Sequence, residues 1–161
     1  MKATLKTLKF PYGSAAVFIA LLLMCSQSAR AQAESVETQT AVFAGGCFWC
    51  IESDFEKLPG VLSVESGYTG GHVANPGYEQ VSGGKTGHIE SVRVTYDDAI
   101  VSYPALLDFF WHHIDPTVQN QQFCDKGNQY RSAIFYANEE QRKVIEKSKT
   151  DILQSGAITT I

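Results

Sequence analysis

Residues 40–50 read TAVFAGGCFWC, and this stretch predicts a strand, a tight turn and the start of a helix. The apolar run Thr40–Ala44 suits a buried strand, and Gly45-Gly46 allows a sharp turn at its end. After the turn, apolar residues recur at intervals of three and four until Pro59-Gly60, as they do on the buried face of a helix. Cys47 therefore lies at the start of this helix.

Strands and helices continue to alternate along the rest of the chain. In the segment His88–Tyr96, alternation places Glu90 on the same strand face as Val92 and Val94. We expect strands at Thr40–Ala44, Val61–Ser66, His88–Tyr96, Tyr130–Tyr136 and 157–161, helices that begin after Gly46 and at Ser102 and Asn138, and long loops at 67–87 and 117–129. This order predicts an α+β fold, a compact two-layer sandwich of a mixed β-sheet with helices.

The composition fits one folded domain and argues against a nucleic-acid partner. The chain has 161 residues, of which 44% are hydrophobic, and this is enough to bury the core of about one domain. It carries 13 Lys and Arg against 17 Asp and Glu, a net charge of −4, with no lysine-rich stripe. Binding to phosphate backbones depends on such basic residues, so we expect no nucleic acid.

The first 31 residues have the pattern of a secretory signal peptide. Lys2, Lys6 and Lys9 precede an uncharged stretch, Ala15–Cys25, and small residues end the segment at Ala31. The apolar run is shorter than the roughly 18 residues of a membrane anchor, so we expect cleavage and no stable membrane association. Lipid attachment at Cys25 is the alternative. We expect a signal peptide at 1–31, a linker at 32–39, a folded domain at 40–161 and export to the bacterial periplasm.

Two cysteines lie in the first turn of the predicted helix. Cys47 lies where unpaired N–H groups and the helix dipole favour a thiolate, which is a nucleophile. Cys50 follows three residues later on the neighbouring turn and could close a disulfide with it. A structural disulfide, a thioredoxin-like redox pair, or a zinc site completed by Cys124, His112 or His113 are alternatives, but they leave the glycines and aromatic residues around the pair without a role.

An ordered set of motifs resembles the peptide methionine sulfoxide reductases of the A class. The motifs are GGCFW at 45–49, GY at 67–68, PGY at 76–78, GHIE at 87–90, DP at 115–116 and DKGNQYRS at 125–132. The resemblance covers about residues 42–161. It implies an α+β catalytic domain that reduces the S-epimer of methionine sulfoxide, free or in proteins, without a bound cofactor or metal.

A sulfoxide sulfur accepts a thiolate only if its oxygen is protonated or strongly hydrogen-bonded, so the site needs an acid beside Cys47. Glu90 fits this role, because a carboxyl group on an apolar strand face has a raised pKa and keeps its proton. An ion pair between Glu90 and Arg131 is the alternative. The resemblance implies further roles: hydrogen bonds to the oxygen from Tyr78 and Tyr130, ordering of the pocket by Asp125, and a methyl-binding wall of Phe48 and Trp49.

Reduction would leave Cys47 as a sulfenic acid that a second thiol must attack. Cys50 is the first choice because of its proximity, Cys124 is the second, and a cysteine in the C-terminal tail that many family chains carry is the third. The disulfide would then be recycled by a thioredoxin-like donor, and we expect a monomer. The sequence stops at Ile161, before such a tail, so we expect a truncated domain. A general thiol–disulfide oxidoreductase and an inactive remnant are the alternative functions.

Overall fold

The computed structural model describes residues 37–156, which form an α+β fold. The predicted signal peptide and the predicted strand at 157–161 lie outside the described residues. The strands are β1 (Thr38–Ala44), β2 (Val61–Thr69), β3 (Ile89–Asp97), β4 (Gln121–Gln122), β5 (Asp125–Lys126) and β6 (Ala133–Phe135), and the helices are α1 (Phe48–Phe55), α2 (Tyr78–Ser82), α3 (Tyr103–His112) and α4 (Glu139–Gln154), with a 3-10 turn at Asn128–Tyr130.

The main sheet has the strand order β2-β3-β1-β6, and all of its pairings are antiparallel. The prediction of a mixed sheet is therefore wrong for the described part of the chain. Helix α1 does connect two strands of the same direction, β1 and β2, but β3 lies between them. In the same way, β1 lies between β3 and β6. Alternation of strands and helices along the sequence does not reveal that a third strand lies between two strands of the same direction.

The core lies on the sheet face covered by α1 and α3. At its centre the ring of Phe43, which is fully buried, lies 4.9 Å from the ring of Phe55 and 5.1 Å from that of Phe110, measured between centroids. Val92 and Val94 of β3 pack in the same cluster. Each large apolar side chain buried in this way contributes about 1.5–3 kcal/mol, so the end of β1 and the start of α1 are firmly held.

Two segments that were expected to be loops contain regular structure. In the segment 67–87, β2 continues to Thr69 and helix α2 forms further along, while the segment 117–129 contains the β4–β5 hairpin. Tyr130 belongs to the 3-10 turn, so the strand predicted at Tyr130–Tyr136 is shortened to β6. These elements span two to five residues, which is too short for a periodic apolar pattern to identify them.

The predicted starts of α3 and α4 are confirmed, with differences in their caps. Ser102 is the N-cap residue of α3, although its side chain makes no capping hydrogen bond. In α4, the Asn138 Oδ1 atom accepts a hydrogen bond of 2.9 Å from the Gln141 N–H. The Gln141 side chain accepts its bond from Ala137 N–H, one residue before the position that a capping box predicts.

Candidate active site

Two glycines form the turn that precedes Cys47. Gly46 has a φ angle of +99°, and a Cβ atom there would lie 2.6 Å from the Cβ atom of Gln122 in the β4–β5 hairpin. A Cβ atom on Gly45 would lie 2.7 Å from Ile114. Only glycine adopts this backbone conformation easily and leaves room for such close neighbours. The turn thereby brings the start of α1 against the hairpin.

Cys47 is the N-cap residue of α1, as the sequence predicts. Its carbonyl oxygen accepts hydrogen bonds from the N–H groups of Cys50 and Ile51, at 3.1 and 3.3 Å. The cysteine is partly exposed and forms no disulfide. A thiolate at this position would lie at the helix end where the dipole favours negative charge, and a reactant can reach it from solvent.

Glu90 is buried beneath this helix start. It is only 2% exposed, and its Oε2 atom accepts a hydrogen bond of 3.0 Å from the Phe48 N–H. Burial raises the pKa of Glu90, the Phe48 hydrogen bond acts in the opposite direction, and the nearby Asp125 charge raises it again. This direction agrees with the expectation. The alternative ion pair with Arg131 is not found, because the Arg131 guanidinium donates to the Asn128 carbonyl oxygen instead.

Two tyrosine side chains, Tyr68 and Tyr130, lie close enough to Glu90 for its charge to act on their pKa. Burial raises the pKa of Tyr130, and the charges of Glu90 and Asp125 raise it further. Burial and Glu90 likewise raise the pKa of Tyr68, with smaller effects from Tyr78 and Tyr130. These electrostatic interactions show that the predicted residues Glu90, Tyr78, Tyr130 and Asp125 do come together, and that Tyr68 belongs to the same cluster.

An aromatic wall stands beside the nucleophile. The Phe48 ring is buried, and its centroid lies 5.2 Å from that of Trp49 and 5.5 Å from that of Tyr68. Trp49 is 60% exposed and stacks on Tyr78, with 5.9 Å between the centroids and 12° between the ring planes. Phe48 thus serves both the core and the site. The wall offers an apolar, solvent-accessible surface on which a small methyl group can pack.

Tyr68 is the site residue to which the sequence analysis gave no role. It lies directly opposite Glu90 in the β2–β3 register, so the two side chains share one face of the sheet. The motif that contains Tyr68 was recognised, but β2 was expected to end at Ser66. Every second residue of a strand lies on the same face, so Val64, Ser66 and Tyr68 share a face if β2 continues past Ser66. A longer β2 would therefore have placed Tyr68 on the Glu90 face.

Of the two candidate resolving cysteines, Cys50 is the one whose side chain interacts with Cys47 in the described part of the chain. Burial raises the pKa of Cys50, and so do the side-chain interaction with Cys47 and the negative charges of Cys47, Asp125 and Asp54. Cys47 and Cys50 are thus close enough to act on one another. Cys124 is exposed in the turn of the β4–β5 hairpin and is joined by no disulfide.

Neither a metal site nor a membrane-spanning helix is found in residues 37–156. Within that range, no three His, Cys, Asp or Glu side chains are grouped so that they could hold a metal ion. The ring Nδ1 atoms of His112 and His113, which the zinc alternative requires, lie 2.7 Å from the carbonyl oxygens of Asp108 and Phe109. Every helix of the same range is too short or too polar to cross a bilayer.

Comparison with known proteins gives a consistent result. The sequence profile of the family described as peptide methionine sulfoxide reductase matches residues 39–160. The peptide methionine sulfoxide reductase MsrA of Limosilactobacillus reuteri is 56% identical over 117 residues, which are 73% of this chain and 67% of that protein. The Vibrio cholerae protein MsrA/MsrB is 57% identical over 122 residues, which are 76% of this chain and 32% of that protein.

A solved structure has the same fold. The reduced form of Mxr1 from Saccharomyces cerevisiae superposes with a TM-score of 0.70 at 29% identity, and the alignment covers 76% of this chain and 72% of that one. The chain therefore spans about two thirds of the length of the bacterial MsrA, somewhat more of the yeast protein, and about a third of MsrA/MsrB.

Proposed function

This chain belongs to the peptide methionine sulfoxide reductase family, and we propose that it reduces methionine sulfoxide to methionine through Cys47. One observation carries the proposal. The first amide of α1, Phe48 N–H, binds the buried carboxyl group of Glu90 at 3.0 Å, which joins the nucleophile's helix to an acid with a raised pKa. A thiol, a proton donor and an aromatic wall are then in one place, as attack on a sulfoxide sulfur requires.

The proposed reaction transfers the sulfoxide oxygen to Cys47. The Cys47 thiolate attacks the sulfoxide sulfur while Glu90 gives its proton to the sulfoxide oxygen, and Tyr78 and Tyr130 donate hydrogen bonds to that oxygen. The sulfur–oxygen bond of the substrate and the sulfur–sulfur bond formed by the attack then break as the oxygen moves to Cys47, which becomes a sulfenic acid. Methionine leaves as the reduced product. Glu90 then regains a proton from solvent.

The site favours one epimer because its two sides differ. The aromatic wall of Phe48 and Trp49 suits the apolar S-methyl group, and the hydroxyl and carboxyl groups suit the oxygen. With the sulfur facing Cys47, these three contacts define one handedness at the sulfoxide. We propose that the S-epimer is the substrate.

We propose that Cys50 attacks the sulfenic acid, releases water and forms a Cys47–Cys50 disulfide. The negative charge of Cys47 is one cause of the raised pKa of Cys50. Oxidation of Cys47 removes that charge, so the Cys50 thiolate forms more readily after the first step. A thioredoxin-like donor would reduce the disulfide. Yeast Mxr1 has also been solved in complex with Trx2.

The proximity of Cys47 and Cys50, three residues apart at the start of α1, supports one rival function, general thiol–disulfide exchange. That reaction needs no proton donor for a sulfoxide oxygen. The deciding experiment measures the methionine that forms from each sulfoxide epimer with dithiothreitol as reductant. We expect turnover of the S-epimer alone and no turnover by Cys47→Ser. Disulfide exchange without any methionine would support the rival, and a folded protein that does neither would be an inactive remnant.

We also propose that the protein is exported and works as a monomer. The proposal of export rests on the composition of residues 1–31. The mass of the intact protein from an exported fraction should lack those residues, and sedimentation should give the mass of one chain. Full-length protein in a membrane pellet would contradict this proposal.

A further inference from the structure

The turn of the β4–β5 hairpin presents an aromatic residue, Phe123, to solvent. Its exposed fraction of 75% is the highest among the large hydrophobic residues in the described part of the chain. Its φ angle of +49° is also unusual for a bulky side chain. Exposure of a phenyl ring and strain in its backbone both cost free energy. Two such costs at one residue indicate a role in binding.

Hydrogen bonds anchor the backbone of the hairpin that carries this ring. Gln122 is 1% exposed; its side chain accepts a hydrogen bond from Asp115 N–H at 2.8 Å and donates to Asp115 O at 2.6 Å and to Ser132 Oγ at 2.7 Å. A further bond of 2.9 Å, from Gly127 N–H to the Asn120 carbonyl oxygen, closes the base of the hairpin. The backbone of Phe123 is therefore fixed before binding, which lowers the entropic cost of binding.

The hairpin also places Phe123 at the rim of the active site. Gln122 packs against Gly46, and the chain geometry through this contact puts the Cα atoms of Phe123 and Cys47 within about 13 Å of each other. Asp125, two residues after Phe123, acts on the pKa of both Glu90 and Cys50. The backbone of Phe123 is thus close to that of Cys47, although Phe123 is not one of the residues assigned to the reaction.

We propose that Phe123 binds an apolar side chain of a polypeptide substrate two or three residues from the methionine sulfoxide. This inference rests on the proposed function and adds a specificity determinant to it. Two or three residues of extended chain span about 7–10 Å, which together with the length of the methionine side chain bridges the distance between Cys47 and Phe123. A free amino acid ends before it reaches the ring. Phe123 therefore favours unfolded protein substrates over free methionine sulfoxide.

The test compares Phe123→Ala with the wild-type protein on three substrates, with dithiothreitol as reductant. The substrates are N-acetylmethionine sulfoxide, a peptide in which leucines lie two and three residues from the sulfoxide, and the same peptide with serines. We expect KM for the leucine peptide to rise about five- to tenfold, with the other two substrates and kcat unchanged. Tyr136→Ala removes another exposed aromatic ring, which is 53% exposed and directly follows β6, and should change none of these values.

Other outcomes overturn the inference. An equal change on all three substrates would show a general effect on the site, and no change would show that the ring binds nothing. A defect that appears only with thioredoxin as reductant would assign Phe123 to the reductant. If the wild-type protein reduces no substrate, the proposed function fails. Calorimetry of the leucine peptide with Cys47→Ser, and with Cys47→Ser plus Phe123→Ala, then still measures the contact directly.

Discussion

Replacement of Glu90 by glutamine separates the proton of this side chain from its other properties. The two side chains have nearly the same size, and the glutamine oxygen can still accept the hydrogen bond from Phe48 N–H. The variant should therefore fold and keep the start of α1 in place. It cannot supply a proton to the sulfoxide oxygen, so only the chemical step should suffer.

The expected loss follows from the general-acid role. Proton transfer by a positioned acid contributes about 100- to 10,000-fold in rate, which corresponds to about 2.7–5.5 kcal/mol of activation free energy. Burial raises the pKa of Glu90, so the wild-type acid stays protonated to a higher pH than an ordinary glutamic acid. The wild-type rate should fall as the pH rises through this pKa, and the glutamine variant should lack that fall.

The assay is a single turnover of methionine-S-sulfoxide at a series of pH values, so that the ionisation of the reductant does not contribute. Glu65→Gln is the matched control, because Glu65 lies on the same pair of strands but is exposed and pairs with Arg93. A surface ion pair of this kind contributes about 0–1 kcal/mol, and the control should react at the wild-type rate. A rate for Glu90→Gln within twofold of wild type, or a pH profile unchanged in shape, would refute the reasoning.

Three further predictions concern stability and the pH profile. Because the pKa of Glu90 is raised above 4.5 in the folded state, the folded protein holds this proton after the unfolded chain has lost it; the free energy of unfolding should therefore fall as the pH rises from 4.5 through the folded pKa, and Glu90→Gln should lose this fall in urea titrations. Gly46→Ala, with a positive φ and a Cβ 2.6 Å from Gln122, should destabilise the protein by about 1–3 kcal/mol, whereas Gly67→Ala, whose Cβ would meet no atom within 4 Å, should change stability by less than about 0.5 kcal/mol. Tyr68→Ala should admit water to Glu90 and move the alkaline limb of kcat/KM to lower pH, whereas Tyr68→Phe, which keeps the ring, should leave the limb in place.

Each of these predictions can fail on its own. Parallel stability curves for the wild-type and Glu90→Gln proteins would show that this carboxyl group is not desolvated. Equal melting temperatures for the two alanine variants would remove the steric argument for Gly46. An unshifted limb in Tyr68→Ala, with normal folding by circular dichroism, would separate Tyr68 from the acid.

Local patterns in the sequence predicted the centre of the site well. The glycine turn and the apolar spacing after it located the start of α1, and alternation in β3 placed Glu90 on the buried face, because both signals arise from neighbouring residues. The sheet order could not be predicted in the same way. The position of β3 between β1 and β2 depends on pairing between residues about 50–60 positions apart for β1–β3 and about 20–35 positions apart for β2–β3, and a single sequence carries no local signal for either.

The short elements at the rim of the site, helix α2 and the β4–β5 hairpin, could not be predicted from the sequence either. Helix α2 and the β4–β5 hairpin are too short for periodicity, so Tyr78 was placed by resemblance and Phe123 was given no role. The exposure of Phe123 follows from the hairpin register Gln122–Asp125, which leaves residues 123 and 124 in the turn. The side-chain contacts of Gln122 that anchor this hairpin join segments distant in sequence. Only the three-dimensional structure reveals such contacts.

The most direct test of the central claim is a single turnover without reductant, followed by peptide mapping. The protein is mixed with one equivalent of methionine-S-sulfoxide, and both the methionine formed and the oxidised cysteine are measured. We predict nearly one methionine per chain, a protein mass lower by two hydrogens, and a disulfide between Cys47 and Cys50. Formation of methionine by the Cys47→Ser variant, or no methionine from the folded wild-type protein, would contradict the assignment of Cys47 as the nucleophile.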